Sequence, residues 1–172
     1  MQHYKLLVLV LLPALLVGCI SYTKQNSKKV FKDGVNILYG QITRDDLFSE
    51  YPAWYENYVD YVPDSTIVNT LSVPKPDLKI EIFMGTWCSD SRREVPRFFK
   101  TVDKSKFVQN NQIKIWAVDR NKSLDSGLTE ERGITIVSTF ILYRNDKEIG
   151  RIIEQPENEN IEMDILLIIK GS

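Results

Sequence analysis

The chain opens with a short polar start carrying one lysine, then an apolar run from Leu6 to Val17 interrupted only by Pro13. After Cys19 comes a polar stretch, Ser21 to Asp33, with four lysines and few large apolar residues, a composition that predicts a flexible tether. Thr43 followed by Asp45 and Asp46 predicts a helix start. An apolar face then continues through Leu47, Phe48, Tyr51, Trp54, Tyr55, Tyr58 and Tyr61, with Pro52 splitting the segment into two helices. Aromatic residues at this density suit a carbohydrate-stacking platform or packing against a core, and helical spacing favours packing.

Leu78 to Met84 alternates polar and apolar residues before turning wholly apolar, as a strand entering a buried sheet does. Pro74-Lys75-Pro76 breaks the chain ahead of it. Beyond Gly85, Ser89 to Asp103 reads as a helix with Val95, Phe98, Phe99 and Val102 on one face, and Pro96 predicts a kink. Ile113 to Val118 is a second strand, and the polar connection Asp119 to Gly133 includes a short helix at Leu128 to Arg132. A hairpin follows: Thr139 to Tyr143 and Glu148 to Ile153 flank Arg144-Asn145-Asp146-Lys147, whose Asn-Asp pair is turn chemistry. Asn160 predicts the cap of a final helix with Ile161, Ile165 and Ile168 facing inward. This order implies an α/β domain with a mixed central sheet, helices on both faces and an extra helical segment ahead of it.

The first apolar run is about a dozen residues, where a bilayer-spanning helix needs about 20, so it reads as a secretory signal. It ends in Leu16-Val17-Gly18-Cys19, which resembles the bacterial lipobox. That resemblance implies cleavage before Cys19, lipidation of Cys19 and anchorage in the cell envelope, facing the periplasm or the exterior. The expected division is residues 1–18 as signal peptide, 19–35 as lipidated cysteine and tether, and 36–172 as one folded domain.

The chain has 172 residues, 43% hydrophobic and 26% charged, with a formal net charge of -1, so one globular domain is expected and no basic field for nucleic acid. Its single histidine, His3, lies in the leader, which removes His-based triads and His-containing metal sites from the mature protein. The two cysteines, Cys19 and Cys88, are too few for a thiolate cage, so no metal or cofactor is expected.

Cys88 follows Trp87 directly after the first buried strand and at the head of a helix, with Pro96 eight residues beyond it. With Thr135 to Phe140 and the hairpin bearing Glu148-Ile149-Gly150-Arg151, these residues resemble the thioredoxin family over roughly Leu78 to Lys170, in particular its membrane-anchored extracytoplasmic branch. The resemblance implies a thioredoxin-like fold, Cys88 as nucleophile, and a substrate surface shaped by Trp87, Ser138 and Thr139. A helix N-terminus presents free amide donors and partial positive charge, which favour a thiolate, whereas Asp90 nearby acts in the opposite direction.

Three departures narrow this picture. The family's resolving cysteine is replaced by Ser91, whose hydroxyl is expected to donate to a Cys88 thiolate while an external thiol resolves any mixed disulfide. The family's cis-proline is replaced by Ser138, and because a cis bond ahead of a non-proline residue costs about 2.5–4 kcal/mol, a trans or rearranged loop is expected. The family's buried acid falls at Ile82, with Glu81 one position off and on the other strand face. Two functions remain open: monothiol disulfide reduction or thiol–disulfide exchange at Cys88 with a protein or small-molecule partner, and a redox-inactive thioredoxin-fold binding module. Peroxide reduction through a sulfenic acid has less support, because the spacing establishes no arginine and threonine around the thiol. Arg92, Arg93 and Arg97 either guide an anionic thiol or form a solvated helix face, and solvated faces are the commoner outcome.

Overall fold

The computed structural model describes residues 29–32 and 34–172. The expected signal segment, Cys19 and the tether as far as Lys28 lie outside them. From Lys29 the expected tether is a strand: β1 (Lys29–Lys32) pairs antiparallel with β2 (Val35–Leu38). Gly34 takes the left-handed φ of 78° between them. The physical reason is the anchoring of Lys32, whose Nζ lies 3.0 Å from the nearly buried Asp119 carboxylate and 4.1 Å from the Tyr39 ring centroid.

β3 (Gly40–Ile42) leads into α1 (Arg44–Glu50). Thr43 caps that helix as its sequence predicts: its hydroxyl accepts from the Asp46 amide at 3.0 Å, and the Asp46 carboxylate accepts from the Thr43 amide at 2.9 Å. Pro52 opens α2 (Pro52–Asp60), at the end of a helix where a missing N–H costs least. The dense aromatics are mainly packing: Trp54 is buried, Phe48, Tyr51 and Tyr58 lie against the core, and Tyr55 stacks on Tyr58 in half-exposed positions. An additional helix, α3 (Ser65–Leu71), is capped by Asp64, which accepts from Thr66 and Ile67 amides at 2.8 and 3.0 Å.

The rest follows the expected order: β4 (Leu78–Met84), α4 (Ser89–Ser105), β5 (Ile113–Ala117), α5 (Leu128–Glu131), β6 (Thr139–Arg144), β7 (Lys147–Ile153) and α6 (Ile161–Lys170). Asn145 and Asp146, with φ of 51° and 63°, make the two-residue turn between β6 and β7. Asn160 caps α6 by accepting from the Met163 amide at 2.9 Å. Five strands form one sheet in the order β3-β5-β4-β6-β7, with β4 and β5 parallel and the other pairs antiparallel. The helical segment expected ahead of the sheet is α1 to α3, threaded between β3 and β4 as a crossover.

Alternation along β4 divides the core in two. Leu78, Ile80, Ile82 and Met84 pack with residues of α1, α2, α3, α4 and α6, whereas Phe83 packs with Val118, Leu124, Ile134, Val137 and Ile141. Among the described residues five helices therefore cover one face, and the other carries the 118–138 connection with the short helix α5. Inside α4, the ring of Pro96 leaves the Arg92 carbonyl without its helical donor. Asn57 of α2 supplies a replacement, its Nδ2 donating to that oxygen at 3.2 Å. This is a thioredoxin-like α/β fold, and it brings the β4–α4 turn to the edge of the thinly covered face.

Candidate functional site

Strand β4 is buried and ends at Met84, so the next residues must turn sharply to start α4, and Gly85 permits the turn. A Cβ added there would meet Trp87 Cε2 at 2.6 Å, because the indole lies across the glycine. The indole is fixed from the other side by its Nε1, which donates to the Val118 carbonyl at 3.2 Å. The Arg120 guanidinium lies 5.6 Å from the ring centroid, within cation–π range.

Cys88 takes extended backbone angles and is the N-cap of α4; its thiol is unpaired and partly exposed. Its amide donates to Gly85 O at 3.0 Å, and its carbonyl accepts from the Arg92 amide at 3.1 Å. The sulfur itself donates to the Val137 carbonyl at 3.1 Å. That bond belongs to the protonated thiol, because a thiolate has no hydrogen to give. Ser91, one turn along, is fully buried, and its hydroxyl accepts from the Gly85 amide at 3.3 Å. The Ser91 hydroxyl thus braces the turn in the resting structure, and the sulfur bonds to the facing loop.

That facing loop carries a correction. The Val137–Ser138 peptide bond is cis, not trans or rearranged as the serine predicts. Bonds on both sides fix the segment: Ser138 Oγ donates to Glu154 O at 3.2 Å, Ser138 O accepts from Glu154 N at 2.6 Å, and Thr139 Oγ1 donates to Ile136 O at 2.7 Å. Ser138 and Thr139 are both buried, so what the loop offers at the surface is the exposed side chain of Ile136.

Glu81 stands on the Phe83 side of β4, as alternation requires, and is 8% exposed. Its Oε2 accepts from Arg132 Nε at 2.9 Å and from the Tyr143 hydroxyl at 3.1 Å. Burial first, and the Glu81 charge second, push the Tyr143 hydroxyl up to about 12. This acid is engaged in holding α5 to the sheet. Asp119 immediately follows the Trp87-binding Val118. Burial would raise its pKa, but the Ser123 amide and hydroxyl and the Lys32 ammonium together hold it below the ordinary carboxylate value.

The structure therefore brings together Trp87, Cys88 and Ser91 with the Ser138–Thr139 loop. Sequence reasoning did not find the Val137 carbonyl, Ile136, Arg120 or the Lys32–Asp119 pair. Backbone acceptors carry no residue signature, and the other partners lie far away in the chain. Among the described residues no group of three or more His, Cys, Asp or Glu side chains is placed to hold a metal ion. None of their helices is long and apolar enough to cross a membrane.

No protein-family model matches the chain. No curated protein matches it either. Among solved structures it is similar to a Pseudomonas aeruginosa protein of unknown function, at 13% identity and a TM-score of 0.53, over 76% of this chain and 98% of that one. It is similar to an HIV epitope-scaffold at 12% identity and a TM-score of 0.51, over 76% and 99% of the two chains. It also matches thioredoxin f2 of Chlamydomonas reinhardtii at 22% identity and a TM-score of 0.41, over 64% and 94%. At such identities the likeness concerns fold.

Proposed function

We propose that this protein is a monothiol thiol–disulfide exchange protein, tethered in the cell envelope through a lipid on Cys19, with Cys88 as its nucleophile. The observation that carries the reading is the position of Cys88: a partly exposed, unpaired thiol at the N-cap of a 17-residue helix. Free amides at that terminus stabilise negative charge on the sulfur once it leaves the Val137 carbonyl and gives its proton to solvent water. The thiolate attacks one sulfur of a disulfide; the S–S bond breaks, a mixed disulfide forms on Cys88, and the second half leaves as a thiolate that takes a proton from water. Because Ser91 cannot attack that mixed disulfide, an external thiol completes the cycle. Trp87 and Ile136 shape the substrate surface, and Ser138 and Thr139 contribute through the backbone they hold.

Trapping tests this directly. Cells are quenched in acid, free thiols are blocked, and Cys88 adducts are identified by mass spectrometry. A mixed disulfide with a protein or a small thiol is expected; a Cys88 recovered only as free thiol after mild disulfide stress overturns the proposal. For the anchor, incorporation of a palmitate analogue that is lost in Cys19→Ala is the expected result, and unchanged labelling excludes it.

The rival, a redox-inactive binding module, is favoured by one observation: Cys88 packs against the Phe83 cluster and is hydrogen-bonded to Val137 O. It predicts a phenotype that survives Cys88→Ala and is lost on surface substitutions around Trp87 and Ser138. The exchange reading predicts loss with Cys88→Ala.

A further inference from the structure

The turn that presents Cys88 is bordered by a cleft that the exchange chemistry alone does not require. A cavity of about 610 Å³ opens between α2 and the first turns of α4, with Ser89, the residue after the nucleophile, on its wall. That size suits a small organic molecule, for which pockets of roughly 300–1,000 Å³ are usual. Its two walls differ in charge. The α4 wall carries Arg92, Arg93 and Arg97, and the α2 wall carries Glu56 and Asp60.

These charges are unequally free. Arg93 is bound between Asp90, at 2.9 Å, and the buried Glu94. Arg97 shares Glu94, at 3.3 Å, and its guanidinium lies 5.1 Å from the Tyr61 ring centroid. Arg92 is exposed and, among the described residues, its guanidinium pairs with no carboxylate; Glu56 and Asp60 are likewise exposed and pair with no cation. Arg92 is four residues beyond Cys88 and its amide donates to the Cys88 carbonyl at 3.1 Å, so it stands one helical turn along α4 from the nucleophile. The cleft therefore offers uncommitted positive charge on one wall and uncommitted negative charge on the other, and its wall begins at Ser89, one residue along the chain from Cys88. A purely anionic ligand would meet Glu56 and Asp60, and a purely cationic one would meet Arg92. A ligand carrying both signs satisfies both walls.

We infer that the substrate class is a small zwitterionic disulfide, derived from an amino acid or short peptide, whose carboxylate meets Arg92 and whose ammonium meets Glu56 and Asp60. This rests on Cys88 being the exchange nucleophile. The reaction is then the one already written: Cys88 joins one half of the disulfide, and the other half departs as a free amino thiol.

The test uses the full chain and four disulfide probes: cystine, the dicationic cystamine, the dianionic dithiodipropionate and the neutral bis(2-hydroxyethyl) disulfide. Rates of Cys88 adduct formation are measured by mass spectrometry and divided by those of an unstructured cysteine peptide with the same probe. Cystine is expected to give the largest ratio, about fivefold above the neutral probe, the effect of one exposed ion pair. Arg92→Gln is expected to move the preference toward cystamine, and the pair Glu56→Gln and Asp60→Asn toward dithiodipropionate. Equal ratios for all four probes, or a cystine preference unchanged in both variants, overturn the cleft assignment while leaving exchange at Cys88 standing. No adduct with any probe overturns the exchange reading and the substrate class together.

Discussion

At the scale of single residues the site depends on Gly85. Its missing side chain makes room for Trp87, and an added Cβ would sit 2.6 Å from the indole. Gly85→Ala is expected to destabilise the protein by about 1–3 kcal/mol, the usual cost of overpacking, and to pull Trp87 from Val118. Chemical denaturation and the indole emission of a variant retaining Trp87 as its only tryptophan measure both. Ser91→Ala removes the acceptor of the buried Gly85 amide and is expected to cost about 1–3 kcal/mol. An unchanged denaturation midpoint for Ser91→Ala would contradict the bracing role given to its hydroxyl. Trp87, Cys88 and Ser91 were legible in the sequence because five adjacent residues hold them. Their partners were not: Val137 O lies 49 positions from Cys88 and is a backbone atom, so no side chain advertises it. The cis geometry at Ser138 was misread because the serine signals nothing of the Glu154 bonds that hold it.

Between elements, the hairpin of β1 and β2 is joined to the site's edge by Lys32 and Asp119. Asp119 has a folded pKa below its ordinary value, so its stabilising contribution is present above that ordinary value, about 3.9, and is lost as pH falls through the lower folded one. Lys32 is raised to about 12 from 10.5, so its contribution is complete below 10.5 and is lost as pH rises through about 12. Asp119→Asn is therefore expected to lower the melting temperature at pH 7, with the gap to the unaltered protein closing as the solution is acidified below pH about 4. A gap that is constant with pH would contradict the ion pair. A second joint is the buried Glu162 of α6, which accepts from the Tyr61 hydroxyl and the Asp64 amide, both at 2.8 Å. Glu162→Ala removes the acceptor of these part-buried donors and is expected to cost about 1–3 kcal/mol in denaturation. The elements legible in advance were those with a clear pattern or cap: α1 and α2 split at Pro52, β4, α4, β5, α5, the β6–β7 hairpin and α6. Strands β1 to β3 and helix α3 were missed because they are short, and pairing or capping partners stabilise them more than their own periodicity. Gly40–Ile42, three residues long, owes its place to its register with β5.

Over the whole molecule, the described residues form a thioredoxin-like sheet with five helices on one face and α5 on the other, and Cys88 opens at the border of the thinner side. Fold class was readable because hydrophobic periodicity and the Trp87-Cys88 turn agreed; reaction class was not, because a fold hosts many functions. The proposal therefore rests on the thiol at a helix terminus, and the most direct measurement is its intrinsic exchange rate. The full chain, with Cys88→Ala as control, is mixed with bis(2-hydroxyethyl) disulfide near neutral pH while adduct mass and released mercaptoethanol are followed together. The account predicts a single adduct on Cys88, one thiol released per adduct, and a rate above that of an unstructured cysteine peptide. A rate no greater than the peptide's, or release that persists in Cys88→Ala, would contradict it.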